Sequence, residues 1–368
     1  MLAFLPPSPP PLARPVLRME RPELQATLGA AFEGALDNLL TTNTVAADPK
    51  VYNRTGLMRG ARFFRAGGGY AQPWTRDASV NSWNAGSLLA PDVARDTLFA
   101  VTAPNLIGTP IVQRDNQWWD KVIWIVAAWN HYRVTGDRDF LRDAYAISER
   151  TLREMRTERY SARDGLFLGP SFFNDGIAGY PAPPAKLDDS GSSFVLDHKG
   201  ADRLMTLSTN SLYVGAYRAL GAMARESRRS SQMWEDAANT LKTRIDRRFW
   251  IPAQSRYGYL LNEQGALDPS QEGAGLAFSI LFDVASATRG RAMLRAAHVE
   301  PYGVTDVWPH FPRFSDDHPG RHNVIVWPVV QGFWARAAVK LRDEAAFTSE
   351  LTKLAGLASK RGGKFFEI

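Results

Sequence analysis

Residues 118–156 read WWDKVIWIVAAWNHYRVTGDRDFLRDAYAISERTLREMR, and this stretch contains the rule by which the chain is built. Its first part, 118–129, is apolar on nearly every side, as a helix buried all round must be. Its second part, from Asp139, sets apolar residues three and four apart with charges between them, the pattern of a helix covering a core from outside. Between the two, TGDRD offers Gly136 to stop one helix and Asp137 to cap the next. The same succession recurs in both directions.

Helical periodicity predicts segments over 22–42, 76–89, 91–103, 118–136, 138–159, 206–226, 231–250, 271–283, 286–298, 326–341 and 343–361. Pro91 suits the first turn of the third. Connections near 90, 137, 228, 285 and 342 are short, whereas 43–75, 104–117, 160–205, 251–270 and 299–325 are long. Helices after a long connection are apolar, as in SLYVGAYRALGAMA (211–224); those after a short turn are amphipathic. This alternation predicts an all-α fold, an (α/α)6 toroid of helical hairpins. The long loops then gather at the N-terminal ends of the inner helices, the face where function concentrates. A solenoid would need an even repeat, but the helix pairs here are spaced by roughly 48 to 92 residues. Five outer–inner pairs and a sixth outer helix are counted, so the last inner helix is expected to be lacking, the alternatives being a truncated chain or a barrel closed in another way. The Pro-rich residues 1–21 read as a disordered tail and 22–368 as one domain.

Composition narrows the function. With 45% hydrophobic and 22% charged residues the chain is not globally disordered. No apolar run nears the ~20 residues of a membrane span, so no membrane partner is expected. Cys is absent, which excludes disulfides, thiol nucleophiles and Cys-type zinc sites. The charge of +6 is spread, and its small clusters (RESRR at 225–229, SKRGGK at 359–364) read as solvated helix ends, so no nucleic-acid partner is expected. The N-terminus lacks the basic and apolar regions of a signal peptide, leaving cytoplasm as the default and a periplasmic or secreted location as the alternative if a signal peptide is missing. Gly67–Gly69 has no nucleotide-fold context, and no GxSxG elbow or P-loop occurs. His310, His318 and His322 with Asp316 and Asp317 invite a metal check, but Pro319 and Gly320 interrupt any HxxxH helix. No metal and no cofactor are expected.

The 11 Trp, 11 Tyr and 19 Phe gain meaning from their placement. Loop-to-helix junctions hold Tyr70, Trp74, Arg76 and Asp77 (GGGYAQPWTRDAS, 67–79) and Asp115, Asn116, Gln117, Trp118, Trp119 and Asp120 (QRDNQWWD, 113–120). Phe173, Asp175 and Tyr180 follow in FLGPSFFNDGIAGY (167–180), and Glu272 in DPSQEGAG (268–275). Trp308 and His310 lie in VTDVWPHFPRF (304–314), His322, Asn323 and Trp327 in RHNVIVWP (321–328), and Glu367 in GGKFFEI (362–368). Rings beside carboxylates, amides, Arg and His are what a sugar requires: its C–H face stacks while its hydroxyls pair. A small carbohydrate is the expected partner, with Trp74, Trp118, Trp119, Trp308 and Trp327 facing the cleft.

These residues carry a resemblance. YAQPWTRDAS resembles the Tyr-x-x-x-Trp-x-Arg-Asp signature of glucoamylase-like and debranching-type glycosidases, whose Arg–Asp pair grips the terminal sugar. TGDRDFL, RHNVIVWP and GGKFFEI resemble further segments of the six-hairpin glycosidases. Over residues 60–368 the chain is similar to trehalases, processing α-glucosidases and mannosylglycerate or glucosylglycerate hydrolases. The resemblance implies exo-acting, inverting hydrolysis of a small α-linked glucoside, mannoside or oligosaccharide by one carboxylic acid and one carboxylate base, ~6.5–9.5 Å apart. It places the acid at Asp175 and the base at Glu367. Phe172, Phe173 and Tyr180 around Asp175 lead us to expect an apolar shell that raises its pKa, although Asn174-Asp175-Gly176 also reads as a plain turn. Asp120, Asp197, Asp202 and Glu272 are rival carboxyls. The alternatives are a sugar isomerase or epimerase using His198 and His310, and an inactive glycan-binding homologue.

Overall fold

The computed structural model describes residues 14–20, 22–181, 194–311 and 322–360. Each expected helix is present. They are α1 (Pro22–Asp37), α2 (Thr75–Asn81, continued through Ser82–Gly86 to Leu89), α3 (Pro91–Ala100), α4 (Asp120–Thr135), α5 (Arg138–Arg159) and α6 (Leu207–Glu226). There follow α7 (Gln232–Phe249), α8 (Gly273–Leu281), α9 (Ala287–Ala296), α10 (Pro328–Lys340) and α11 (Glu344–Lys360). The turn after α4 forms as its residues dictate. Gly136 takes φ 68°, a left-handed stop, and the Asp137 side chain accepts from Phe140 N at 2.9 Å.

Burial sorts the helices into two layers. All of Asp120–Ala128 is buried in α4, whereas α5 buries one face and turns its charged face outward. The inner helices α2, α4, α6, α8 and α10 pack each on the next, while α5, α7, α9 and α11 lie against them from outside. α11 also meets α1. Where α10 faces α2, Trp83 packs against Phe333 at 5.1 Å and Phe282 at 5.9 Å between ring centroids. Arg336 there donates to Asn84 Oδ1 at 2.6 Å. Among the described residues the toroid holds five inner and six outer helices.

The long connections are more ordered than loops. Thr102–Pro104 pairs antiparallel with Pro110–Val112, Tyr160–Ser161 with Leu166–Phe167, and Trp250–Ile251 with Arg256–Tyr257. Strands of two or three residues are too short to display alternation in a sequence. The first of these hairpins ends α3 at Ala100, three residues before the expected boundary. Among the described residues no helix is long and apolar enough to cross a membrane.

Candidate active site

Three inner-helix mouths converge on one carboxylate. Asp175, in the third long connection, is met by Arg76 from the first turn of α2, Gln117 from the approach to α4, and His322 from the approach to α10. Arg76 Nη2 and Gln117 Nε2 donate to Asp175 Oδ2 at 3.3 and 3.2 Å. His322 Nε2 lies 3.0 Å from Oδ1, and its Nδ1 lies 3.8 Å from Asp306 Oδ2. Arg76 is itself fixed by the Gln117 side chain (3.2 Å) and the Phe172 carbonyl (3.0 Å). Beneath this cluster Phe173 and Trp327 meet edge to face at 5.4 Å, each about 6 Å from the Arg76 guanidinium. The Asp175 side chain keeps 24% of its surface, against 14% for Arg76 and none for His322, so the cleft opens over Asp175.

The electrostatics correct one expectation. Burial does push the Asp175 carboxyl upward, but hydrogen bonds from His322 and Gln117 and the charges of Arg76 and His322 outweigh it. Asp175 is therefore held well below the usual carboxylate range, not raised, because its partners are cationic donors and not only rings. The carboxyls that do rise are its neighbours. Desolvation lifts Asp77 to about 6 against the pull of Arg76, and lifts Asp120 well above the ordinary value. Arg76 sits among these acids; burial alone would lower it, but Asp120, Asp175 and Asp77 hold it firmly protonated.

Burial would also lower His322, but the ion pair with Asp175 and the nearby charge of Asp306 raise it to about 9. Its contribution to stability is then complete below the unfolded His value of ~6.5 and is lost as pH rises through about 9. Asp175 works with the opposite sign: its contribution is present above ~4 and is lost as pH falls toward its depressed value. Thermal melts should therefore give a wild-type Tm that declines from pH 6.5 to 9 by several degrees more than that of His322→Gln. Parallel curves would refute the imidazolium–carboxylate pairing.

The expected site residues divide into three groups. Arg76, Asp77, Gln117, Asp120, Phe173, Asp175, His322 and Trp327 come together. His322, however, has no exposed surface and stands behind Asp175, so it is a partner of that carboxylate and not a surface for a sugar. At the rim, Tyr70 and Trp74 are 48% and 39% exposed and meet edge to face. Asn116 is exposed, and Asp115 accepts from Thr75 N at 3.1 Å at the start of α2. Trp308 lies flat on His298, with centroids 3.5 Å apart, and meets His310 edge to face.

The third group lies outside the cleft. Trp118 turns away from it: its indole donates to Leu168 O at 3.3 Å and its face is covered by Arg159. Trp119 is fully buried against Trp118. Tyr180 is buried, with its hydroxyl donating to Asn174 O and accepting from Ser171 N. Asn323 clamps the Phe311 backbone, accepting from its N at 2.9 Å. Glu272 is buried with its carboxylate engaged by Ser171 and Ser208. These five are corrected from substrate contacts to framework, because packing and backbone bonds already occupy their polar groups and faces. Of the rival carboxyls, Asp197 and Asp202 are exposed. Glu367, His318, Asp316 and Asp317 lie outside the described residues. No cluster able to hold a metal ion occurs among the described residues. Asp306 was not singled out in the sequence; its place in the VTDVWP junction was the available signal.

A toroid of helical hairpins with an Arg–carboxylate cluster over aromatic rings at its loop face defines the class of six-hairpin glycosidases. Residues 91–367 match the profile of the mannosylglycerate hydrolase MGH1-like glycoside hydrolase domain, and the chain belongs to that family. A mannosylglycerate hydrolase from Thermus thermophilus in complex with glucose superimposes with TM-score 0.60 at 15% identity, over 93% of this chain and 96% of that one. A neutral trehalase from Saccharomyces cerevisiae gives 0.59 at 12% identity, over 92% and 76%. A cellobiose 2-epimerase from Spirochaeta thermophila gives 0.54 at 14% identity, over 94% and 90%. Some similar structures are far longer: the chain spans 26% of a sialidase and 56% of a Klebsiella oxytoca rhamnosidase. No curated protein sequence matches it.

Proposed function

We propose that the chain is an exo-acting glycoside hydrolase that cleaves a small α-linked glucoside, mannoside or related oligosaccharide with inversion. The observation that carries this reading is the convergence of Arg76, Gln117 and His322 on the partly open Asp175 carboxylate above Phe173 and Trp327. Such a recess pairs a sugar's hydroxyls with charged and amide groups, while the exposed rings of Tyr70 and Trp74 are available to its C–H face.

Asp175 protonates the leaving oxygen and Glu367 activates water on the opposite face. In the free site Asp175 is ionised, so it takes a proton from solvent water as substrate enters. Sugar hydroxyls take over the donors of Arg76 and Gln117, and the sugar expels water. Both changes remove support for the charged form and raise the carboxyl toward the range of a general acid. Proton NMR of a reaction on a panel of aryl and natural glycosides tests the reading. Release of a sugar with inverted anomeric configuration is expected, together with a phenol from an aryl glycoside or a second sugar from an oligosaccharide; retention removes the inverting mechanism. Because the toroid is shared with an epimerase, a single isomerised product without cleavage would replace hydrolysis by epimerisation.

A further inference from the structure

We propose that Glu272 is a positioning residue for this chemistry, its buried carboxylate locking the Asp175-bearing loop to the N-termini of two inner helices. The proposal rests on the reading of Asp175 as the catalytic carboxyl. Glu272 is the residue immediately before α8 and is 1% exposed. Its Oε1 accepts from the Ser171 hydroxyl, four residues ahead of Asp175, and its Oε2 accepts from Ser208 N in the first turn of α6 at 3.0 Å. A carboxylate at a helix N-terminus is favoured there by the unpaired N–H groups.

The lock has further bolts. Ser208 Oγ accepts from Phe172 N at 2.9 Å and approaches Ser171 Oγ at 3.3 Å. Thr206 and Thr209 donate to Pro170 O at 3.0 and 2.6 Å. On the other side of the loop Tyr259 donates to Gly179 O at 2.8 Å and accepts from Asn174 at 2.9 Å. Gly275 leaves the carboxylate its space, since a Cβ there would collide with Oε2. Glu272 is thus the only carboxylate among the described residues that joins Ser171 to the α6 N-terminus.

Its titration supplies a readout that packing alone would lack. Burial pushes the carboxyl up to about 7, against the hydrogen bonds of Ser171 and Ser208, with Asp306 raising it further. The other titratable groups facing it are Tyr180 and Tyr259, both kept neutral by burial. Because burial raises its pKa above the unfolded value, ionisation of Glu272 as pH rises through about 7 withdraws stability from the lock and loosens the loop.

The test compares wild type with Glu272→Gln by steady-state kinetics on an aryl glycoside from pH 5 to 9, alongside amide hydrogen exchange over residues 169–180. Glu272→Gln is expected to speed exchange in that loop and to lower kcat by about tenfold with KM within about twofold, as a small misplacement of a reacting group does. The fall in wild-type kcat expected as pH rises through about 7 should be absent from the variant. Ser171→Ala removes one bond of the same lock and gives the same result at smaller amplitude if Glu272→Gln fails to fold. Unchanged exchange overturns the lock. Faster exchange with unchanged kcat, or a persisting pH 7 limb, overturns the positioning role. Faster exchange with no glycosidase activity in the wild type overturns the catalytic reading of Asp175, and with it the positioning claim, while the lock stands.

Discussion

Asp175→Asn is expected to lower kcat on an alkyl glycoside by about 10³-fold, within the range a positioned general acid supplies. On a 2,4-dinitrophenyl glycoside, whose leaving group needs no proton, the loss should be smaller by at least an order of magnitude. The contrast isolates the role, because Asn keeps the size of the side chain but can neither ionise nor release a proton to the leaving group. Arg76 and His322 lose the anion that unites them, so the His322 pKa should also fall from about 9. Two-dimensional NMR of the imidazole reads this directly. Equal losses on the two substrates would show that Asp175 serves as an electrostatic group and not as the proton donor.

The largest effect on stability is expected from Arg76→Gln. Arg76 faces Asp77, Asp120 and Asp175 with only 14% of its side chain exposed. Removing one partner of a buried charge cluster costs about 3–5 kcal/mol, since the remaining charges are left uncompensated. For a domain of this size that corresponds to a Tm lower by roughly 4–7 °C. The sign with pH follows from the neighbours. Asp77, at about 6, and Asp120 already lie above their ordinary values, and loss of the cation raises them further. A carboxyl whose folded pKa exceeds its unfolded one withdraws stability as pH rises between the two. The Tm deficit should thus be greatest near pH 8 and shrink toward pH 5. A deficit independent of pH would place the cost in packing. Activity should also fall steeply, because Arg76 holds Asp175 and Gln117 together.

The layered fold was legible because helix periodicity and capping are local. The apolar run 118–129, Gly136 and Asp137 determine an inner helix, a stop and a cap within some twenty residues, whatever surrounds them. The site was legible more coarsely. A toroid delivers the loop before each inner helix to one face, so the junctions holding Arg76, Gln117, Asp175 and His322 could be read as neighbours. Which way each side chain points could not. Trp118, Trp119 and Asp120 stand side by side in sequence, yet Trp118 turns to Leu168 and Arg159 while Asp120 faces the Arg76 cluster. Adjacent residues on a helix point in different directions, and only packing selects the one that meets the cleft.

The sequence by itself determined the order of helices, their inner and outer assignment, and the face onto which the long connections open, since backbone geometry and hydrophobic burial act on near neighbours. Tertiary structure alone decided the charge of Asp175, the burial of Glu272 beneath its loop, and the place of His322 between two carboxylates. Asp175 meets Arg76 across 99 positions and Gln117 across 58. Electrostatic and hydrogen-bond energies depend on distance through space, and the fold sets that distance.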